Sequence, residues 1–273
     1  MTNLQQESME MLKETSRTFF IPITFLKSKL KDTVASAYLC MRAIDEIEDH
    51  EELENRTKRT LLLSISELLK RPFDEQAYQS LIQPYEASLP AVTNRLGDWL
   101  KLCPTDIVDK VKEATSEMAE GMAKWAKRNW VIKTKADLDD YTYYVAGLVG
   151  CMLSDLWEWY DNTKTDRNLA IGFGRGLQAV NILRNQNEDD ERGVSFMPDD
   201  WNEEDMFHYA HENLQKADQY LHQIKDSSIQ MFCKIPLELA HATLNTLKKG
   251  NEKMSRNEVF TVVEQVKAEV NPT

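Results

Sequence analysis

The chain has 273 residues, of which 42% are apolar and 29% are charged, and its formal net charge is −12. This composition is ordinary for a globular protein that buries a core. The acidic balance argues against nucleic-acid binding and against simple electrostatic docking on anionic lipid, because no basic patch offsets it.

The cysteine pattern and the N-terminus indicate the cellular compartment. The four cysteines are far apart and form no C-x-x-C pair, so we expect neither a disulfide framework nor a zinc site. The first residues lack the basic start and long apolar run of a secretion signal. No stretch reaches about 18 uninterrupted apolar residues, the length that a membrane span requires. We therefore expect a cytoplasmic protein.

Helical spacing of apolar residues recurs along the chain, whereas strand-like alternation is rare. In chain order it predicts helices over about 33–49, 106–130, 138–160, 167–187, 203–225 and 228–249. Breaks are expected near Pro72, Pro84, Pro90, Pro104 and Pro198, and at the polar sequence TKTDRN. The 138–160 segment is apolar on nearly all sides, as a central helix would be. With no linker or repeat between them, these helices predict one all-α domain over residues 1–273, a bundle whose sites are built from facing helices.

The helix predicted over 33–49 carries two carboxylates on one stripe. Asp45 and Asp49 are four residues apart, so both project from the same face, while Glu46 and Glu48 point elsewhere. Two like charges at this spacing repel each other unless a cation lies between them. Mg²⁺ suits such a pair, because it takes one or two carboxylates together with waters and phosphate oxygens. The alternative is a solvated acidic face, since the acidic run continues past the helix.

The helix predicted over 167–187 continues into a polar stripe. The stripe consists of residues spaced by three or four positions, namely Gln178, Asn181, Asn185 and Asp189. Arg184 lies beside them. A stripe of amides on a helix with a strong apolar face is costly unless it faces a wet cavity or a ligand. The alternative is a network of satisfied amides that merely fixes the helix register.

Five segments in order resemble the squalene/phytoene synthase family of head-to-head prenyl transferases. They are SRTFF (16–20), YLCMRAIDEIED (38–49), EMAEGMAKW (117–125), YVAGLVG (144–150) and LQAVNILRNQNED (177–189), followed by RGVSFMPDDW (192–201). The resemblance implies an isoprenoid-synthase type of helical bundle with a central apolar cavity. It also implies two aspartate-rich motifs on facing helices, which hold Mg²⁺ ions that bind the diphosphate of farnesyl or geranylgeranyl diphosphate.

The resemblance further implies roles for single residues. Asp45 and Asp49 match the first aspartate-rich motif as Mg²⁺ ligands, and Arg42 matches an arginine that pairs with diphosphate. Tyr141 matches a tyrosine implicated in proton transfer or carbocation handling. In the second motif, Gln178, Asn181 and Asn185 match substrate-binding residues, and Arg184 matches a further catalytic arginine. Asp189 and Asn185 match the remaining metal ligands.

Other matched residues belong to the substrate pocket. Ser16 and Arg17 match the diphosphate side of its entrance, and Phe19 would line the pocket for the prenyl chain. Gly147 and Gly150 lie on the nearly apolar segment. For these glycines, close packing between helices and the lining of a cavity remain equal alternatives.

The second motif departs from the family pattern. The family has D-x-x-x-D, whereas this chain has Asn185 at the first position, followed by Glu188 and Asp189. An asparagine offers Mg²⁺ one carbonyl oxygen but no negative charge. Loss of one unit charge beside a divalent ion should weaken metal binding by roughly several kcal/mol, the size of the Coulomb energy at an intermediate dielectric constant. Nearer the C-terminus, VFTVVEQVK (259–267) lacks the basic cluster that follows the family's V-F pair.

These departures favour a single ionisation over coupling, because head-to-head coupling requires two prenyl chains and two successive ionisations. We predict a Mg²⁺-dependent prenyl diphosphate phosphatase, with farnesyl diphosphate converted to farnesol. One alternative is a squalene, dehydrosqualene or phytoene synthase that tolerates Asn185. Another is a helical protein that binds a prenyl diphosphate without turnover, although paired carboxylates and arginines argue against it. We expect no obligate protein partner, and only transient association with the membrane surface for release of an oily product.

Overall fold

The computed structural model describes residues 2–16, 18–191 and 193–270, without the side chain of residue 190. In this part of the chain all regular structure is helical, which confirms the all-α prediction. The α-helices are α1 (Asn3–Thr15), α2 (Phe20–Thr24), α3 (Ser28–Glu48), α4 (Asn55–Leu69), α5 (Glu75–Ile82), α6 (Ala91–Asn94), α7 (Leu96–Leu102), α8 (Val108–Lys127), α9 (Lys135–Thr142), α10 (Leu148–Asp161), α11 (Arg167–Glu191), α12 (Glu203–Leu221), α13 (Ser227–Lys248) and α14 (Arg256–Val270). A 3₁₀ turn covers Gln83–Tyr85 and a π-helical turn covers Tyr143–Gly147.

The chain forms two compact units, and the expectation of a single domain stays a prediction. The first unit comprises Met1–Ile23 and Ser28–Trp130, and the second comprises Thr24–Lys27 and Val131–Thr273. In the first unit α3 packs against α1, α4, α6, α7 and α8. Several apolar residues of α3, among them Leu39, Ile44 and Ile47, are completely buried. The helix that carries the paired carboxylates is therefore the centre of its own unit.

In the second unit α11 is surrounded by α10, α12 and α13 and by the π-helical turn. The C-terminal helix α14 packs on α13 through a cluster that includes Met231, Ile235, Val263 and Val266. The helices α11, α12 and α13 begin within one residue of the predicted starts, because capping residues and polar turns mark them in the sequence. One cap is visible at Asn202, whose side chain accepts hydrogen bonds from the N–H groups of Glu204 and Asp205.

The segment predicted as one central helix over 138–160 is divided. It consists of α9, the π-helical turn and α10. A π-helical turn inserts an extra residue into the helical repeat and is often found at functional sites. Because apolar residues cover nearly every side of this segment, its sequence carries no periodic signal that would reveal the change of register.

The glycines of this segment permit close packing between α10 and α11. A Cβ atom at Gly150 would lie 2.1 Å from the carbonyl oxygen of Ala170, whereas one at Gly147 would lie 3.1 Å from the Cγ2 atom of Ile171. The first distance is too short for any side chain, and it involves backbone that cannot turn aside. Close packing is therefore sufficient to explain the glycine at position 150.

The Gly150→Ala substitution is expected to lower the stability of the second unit. Separating α10 from α11 should cost about 3 kcal/mol, which is typical of overpacking in a filled core. Thermal unfolding followed by circular dichroism measures the loss. The Gly147→Ala variant is the matched control, because the Ile171 side chain can move, and equal losses in the two variants would contradict the packing argument.

Candidate functional site

The paired carboxylates lie where α3 ends. Asp45 is half-buried and Asp49 is exposed, and the N–H of Asp49 donates to the Asp45 carbonyl oxygen at 2.9 Å. Asp45 therefore lies in the last turn of α3 and Asp49 directly follows it, beside the C-terminal carbonyl groups that are the negative end of the helix dipole. Two carboxylates are unfavourable at this end of a helix unless a cation neutralises them.

The electrostatics of this turn show the excess of negative charge. Burial, followed by the charge of Asp49, raises the pKa of Asp45 from 3.8 to about 7, although the nearby Arg42 opposes the shift. Burial, reinforced by Asp49 and Asp45, also raises the pKa of Glu48 to about 8. Carboxylate oxygens of this kind are the donors that Mg²⁺ prefers, so the residues present fit that ion. Among the described residues, no three His, Cys, Asp or Glu side chains are grouped to form a complete metal site. Such a partial set suits an ion that keeps several waters and takes phosphate oxygens as further ligands.

The predicted diphosphate-binding arginine is held by two neighbouring acids. The Nη1 atom of Arg42 donates to Asp45 Oδ2 at 2.6 Å, and its Nε atom donates to Glu46 Oε1 at 2.8 Å. The Nη2 atom also donates to Glu46. Glu46 therefore contacts the same guanidinium as Asp45. Its spacing relative to Asp45 had instead suggested that it points elsewhere. The separation of four residues from Arg42 to Glu46 is the signal that could have revealed this contact.

The N-terminal segment adds an aromatic group to the same unit. Ser16 is buried, and its Oγ accepts a hydrogen bond from the Phe19 N–H at 2.9 Å. The ring of Phe19 lies 6.2 Å from that of Tyr38, whose hydroxyl donates to the Thr15 carbonyl oxygen at 3.1 Å. Arg17, the other residue predicted here, lies outside the described residues.

Tyr38 is the site residue that the sequence analysis missed. Burial raises the pKa of its hydroxyl, and Ser16, Arg42 and Asp45 all act on that pKa. Tyr38 therefore connects the N-terminal segment to the ion pair on α3. Its position one turn before Arg42 on the same helix was the available signal.

In the second unit, the polar stripe of α11 is half-buried at Gln178, Asn181 and Asn185, and Arg184 is exposed. The Nε atom of Arg184 donates to the Oδ1 atom of Asn185 at 3.1 Å. The amide oxygen that could serve as a metal ligand thus accepts a hydrogen bond from a cation on its own helix. This arrangement weakens it further as a donor to Mg²⁺.

Tyr141 and Asp189 border the same loop after α11. The ring of Tyr141 stacks on Phe196 with a centroid distance of 4.9 Å, and Tyr141 is only 6% exposed. Phe196 and Asp189 line a small pocket together with residues of α11, α12 and the loop. The carbonyl oxygen of Asp189 accepts the Val194 N–H at 3.0 Å, which fixes the start of the loop. The structure therefore brings Tyr141 to the end of the second motif through Phe196.

Comparison with solved structures defines the class of fold. A complex of TcSQS with the ligand E5700 has a TM-score of 0.79 at 24% identity, covering 98% of this chain and 89% of that chain. A dehydrosqualene synthase in complex with a ligand has a TM-score of 0.60 at 18% identity, covering 98% and 97% of the two chains. These similarities confirm the isoprenoid-synthase type of helical fold.

Sequence comparison then identifies the family. The family model for squalene/phytoene synthase matches residues 12–207, and the chain belongs to this family. It is 31% identical over 281 residues to the squalene synthase ERG9 of Saccharomyces cerevisiae, covering 91% of this chain and 62% of that protein. It is 28% identical over 265 residues to the squalene synthase of Dictyostelium discoideum, covering 86% of this chain and 62% of that protein.

The chain thus spans about three fifths of the length of these curated relatives. The family is one of prenyl transferases, in agreement with the resemblance found in the motifs.

As for the membrane, no helix in the described ranges combines the length and apolar character needed to cross a bilayer.

Proposed function

We propose that this chain is a Mg²⁺-dependent enzyme that ionises one prenyl diphosphate and lets water capture the carbocation, with farnesyl diphosphate giving farnesol and diphosphate. The observation that carries the proposal is the neutral Asn185 in the second motif, whose amide oxygen accepts a hydrogen bond from Arg184. A motif with one charge fewer, and a ligand already engaged, favours one ionisation over two successive ones.

In this proposal Asp45 and Asp49 hold Mg²⁺ in the first unit. Asp189 and Asn185 are proposed as a separate, weaker set of ligands in the second unit. Bound at carboxylates, Mg²⁺ would neutralise the charge that develops on the leaving diphosphate. Arg42 would add its guanidinium to the diphosphate through a charge-assisted hydrogen bond to a phosphate oxygen. Glu46, bound to the Nε and Nη2 atoms of Arg42, would keep the guanidinium oriented while Nη1 exchanges Asp45 for a phosphate oxygen.

The bond changes are those of an ionisation followed by hydration. The bond between C1 of the prenyl chain and the diphosphate oxygen breaks, and its electron pair leaves with the diphosphate. The oxygen of water then bonds to C1 and loses one proton. Aromatic faces stabilise such cations. Phe19 and Tyr38 are proposed for this role in the first unit, and Tyr141 is proposed for it in the second. Gln178 and Asn181 are proposed to bind the substrate through their half-buried amides.

Head-to-head coupling is the second candidate. The observation that favours it is membership of the squalene/phytoene synthase family together with similarity to proteins named squalene synthase. Under this alternative Asn185 is tolerated, and two prenyl chains join to form a C30 product. A third candidate is a protein that binds a prenyl diphosphate without turnover through the same carboxylates and Arg42.

Incubation with farnesyl diphosphate and Mg²⁺ in ¹⁸O-labelled water tests the proposal. We expect farnesol carrying one ¹⁸O atom and unlabelled diphosphate, because the C–O bond breaks and water attacks carbon. Mass spectrometry of the organic extract and of the diphosphate measures both. A C30 hydrocarbon, sought with and without NADPH because coupling to squalene consumes a hydride, would instead support coupling. Label in the phosphate products would show attack at phosphorus. Unchanged substrate would leave binding as the function.

A further inference from the structure

The last turn of α3 is fixed by residues from two other parts of the first unit. The indole Nε1 of Trp130 donates to the Oε1 atom of Glu48 at 2.6 Å. The Nζ atom of Lys58, in the first turn of α4, donates to the Glu48 carbonyl oxygen at 2.6 Å. Glu48 and Lys58 are only 5% and 7% exposed. Both the side chain and the backbone of Glu48 are therefore bonded, and the next residue is Asp49.

The backbone at Trp130 adopts an unusual conformation. Asn129 and Trp130 have φ angles of 53° and 52°, in the left-handed region that residues other than glycine rarely occupy. For a bulky aromatic residue such a conformation is costly and persists only where the surroundings enforce it. Strain of this kind is concentrated at functional sites, so the contacts that enforce it require an explanation.

Four contacts hold the strained turn in place. The Trp130 N–H donates to the Trp125 carbonyl oxygen at 3.1 Å, and the Asn55 side chain donates to that of Asn129 at 2.8 Å. The Lys58 ammonium lies 5.1 Å from the centre of the Trp130 ring, within reach of a cation–π interaction. The fourth contact is the indole hydrogen bond to Glu48. The turn after α8 is thereby tied to the ends of two helices.

The chemistry of Glu48 explains why these contacts matter. A buried carboxyl group is costly without a hydrogen-bond partner, and a helix ends with carbonyl groups that lack partners within the helix. The indole N–H meets the first requirement, and the ammonium of Lys58 meets the second. Because the side chain and the carbonyl oxygen of Glu48 are both bonded to groups outside α3, Trp130 and Lys58 help to hold the last turn of this helix in place.

We propose that Trp130 is a positioning residue for metal binding, which acts by holding Glu48 and thereby fixes the orientation of the adjacent Asp49. The inference rests on the proposed function, since Asp49 is taken as a Mg²⁺ ligand. Groups that orient metal ligands typically change metal affinity by about 10- to 100-fold when they are removed. Trp130 acts through one intervening residue, so an effect at the lower end of that range follows.

The Trp130→Phe variant of the full chain tests this role, because it keeps the ring and removes the N–H donor. We expect the half-saturating Mg²⁺ concentration for diphosphate release to rise by about 10-fold, while the rate at saturating Mg²⁺ stays within about twofold of the parent. The Lys58→Met variant is expected to shift the same parameter in the same direction. It provides a second measurement if Trp130→Phe does not fold.

The matched control is Trp99→Phe. The indole of Trp99 is completely buried in the same unit and donates to the Val92 carbonyl oxygen at 2.8 Å. Its removal also breaks one buried hydrogen bond, so it should lower the melting temperature without changing the Mg²⁺ requirement. Equal Mg²⁺ requirements in Trp130→Phe and the parent, or equal shifts in Trp130→Phe and Trp99→Phe, would overturn the positioning role.

Calorimetric titration of Mg²⁺ in the presence of inorganic diphosphate separates this inference from the proposed function. If the parent chain binds Mg²⁺ and diphosphate together and yet does not turn over farnesyl diphosphate, the proposed hydrolysis is wrong. In that case weaker Mg²⁺ binding by Trp130→Phe still supports the positioning role. If the parent chain hydrolyses the substrate and Trp130→Phe binds Mg²⁺ unchanged, the proposed function stands and the positioning role is wrong. Absence of Mg²⁺ binding by the parent chain would refute both.

Discussion

Replacement of Asp45 by asparagine is expected to reduce diphosphate release by about 10²–10³-fold, the loss typical when a group that stabilises developing charge is removed. The substitution keeps the size of the side chain and removes one unit of negative charge from the proposed Mg²⁺ ligands. Diphosphate release from farnesyl diphosphate at saturating Mg²⁺ measures the effect. The Glu51→Gln variant is the control, because it removes one charge from an exposed residue just beyond α3.

The same variant should gain stability while it loses activity. The pKa of Asp45 is raised from 3.8 to about 7 in the folded chain, so the folded state binds a proton more tightly than the unfolded state does. Its contribution to stability is therefore present at low pH and is lost as the pH rises through that interval. Without Mg²⁺ and above pH 7, Asp45→Asn should melt at a higher temperature than the parent chain. A lower melting temperature there would indicate that Asp45 has a structural role instead.

Replacement of Asn185 by aspartate is expected to lower the Mg²⁺ requirement by about 10- to 100-fold. The new charge is worth several kcal/mol near a divalent ion at intermediate dielectric, but Arg184 would neutralise part of it, since its Nε atom already contacts this side chain. We also expect the fraction of farnesol to fall and a C30 product to appear. Gas chromatography of the organic extract measures the product ratio, and diphosphate release measures the Mg²⁺ requirement.

The Asn187→Asp variant provides the comparison for this prediction. Asn187 is exposed on the same helix, two residues after Asn185, so the change in net charge is identical while the side chain points away from the polar stripe. Its product ratio should equal that of the parent chain. If Asn185→Asp also leaves the product ratio unchanged, the neutral residue at position 185 does not explain hydrolysis, and coupling or another cause must be sought.

Much of the fold was predictable because its determinants are local. The helices α3, α8, α11, α12 and α13 follow from apolar spacing of three and four residues, which is the geometry of a helix face. The same reasoning failed at the π-helical turn, because a segment that is apolar on every side gives no periodic signal. Family membership was also visible in the sequence, through ordered motifs that the family match over residues 12–207 confirms.

The candidate site was predictable only in part. Spacing of four residues predicted Asp45 and Asp49 on one stripe of a helix. In the structure Asp49 directly follows the end of α3, and its charge still acts on Asp45. Assigning Glu46 to another face was wrong, since it binds Arg42 through two nitrogen atoms. Tyr38 was overlooked although it precedes Arg42 by one turn. The assignment of Tyr141, Gln178, Asn181 and Asp189 to catalysis or binding remains a prediction.

The sequence by itself determined the helical class, the family and the two polar motifs, because each depends on residue types at short, regular separations. Only the tertiary structure decided what holds these motifs in place. The bond from Trp130 to Glu48 joins residues 82 positions apart, and the stacking of Tyr141 on Phe196 joins two elements separated by all of α10 and α11. Contacts of this kind depend on how helices pack against one another, and no local periodicity along the chain encodes that packing.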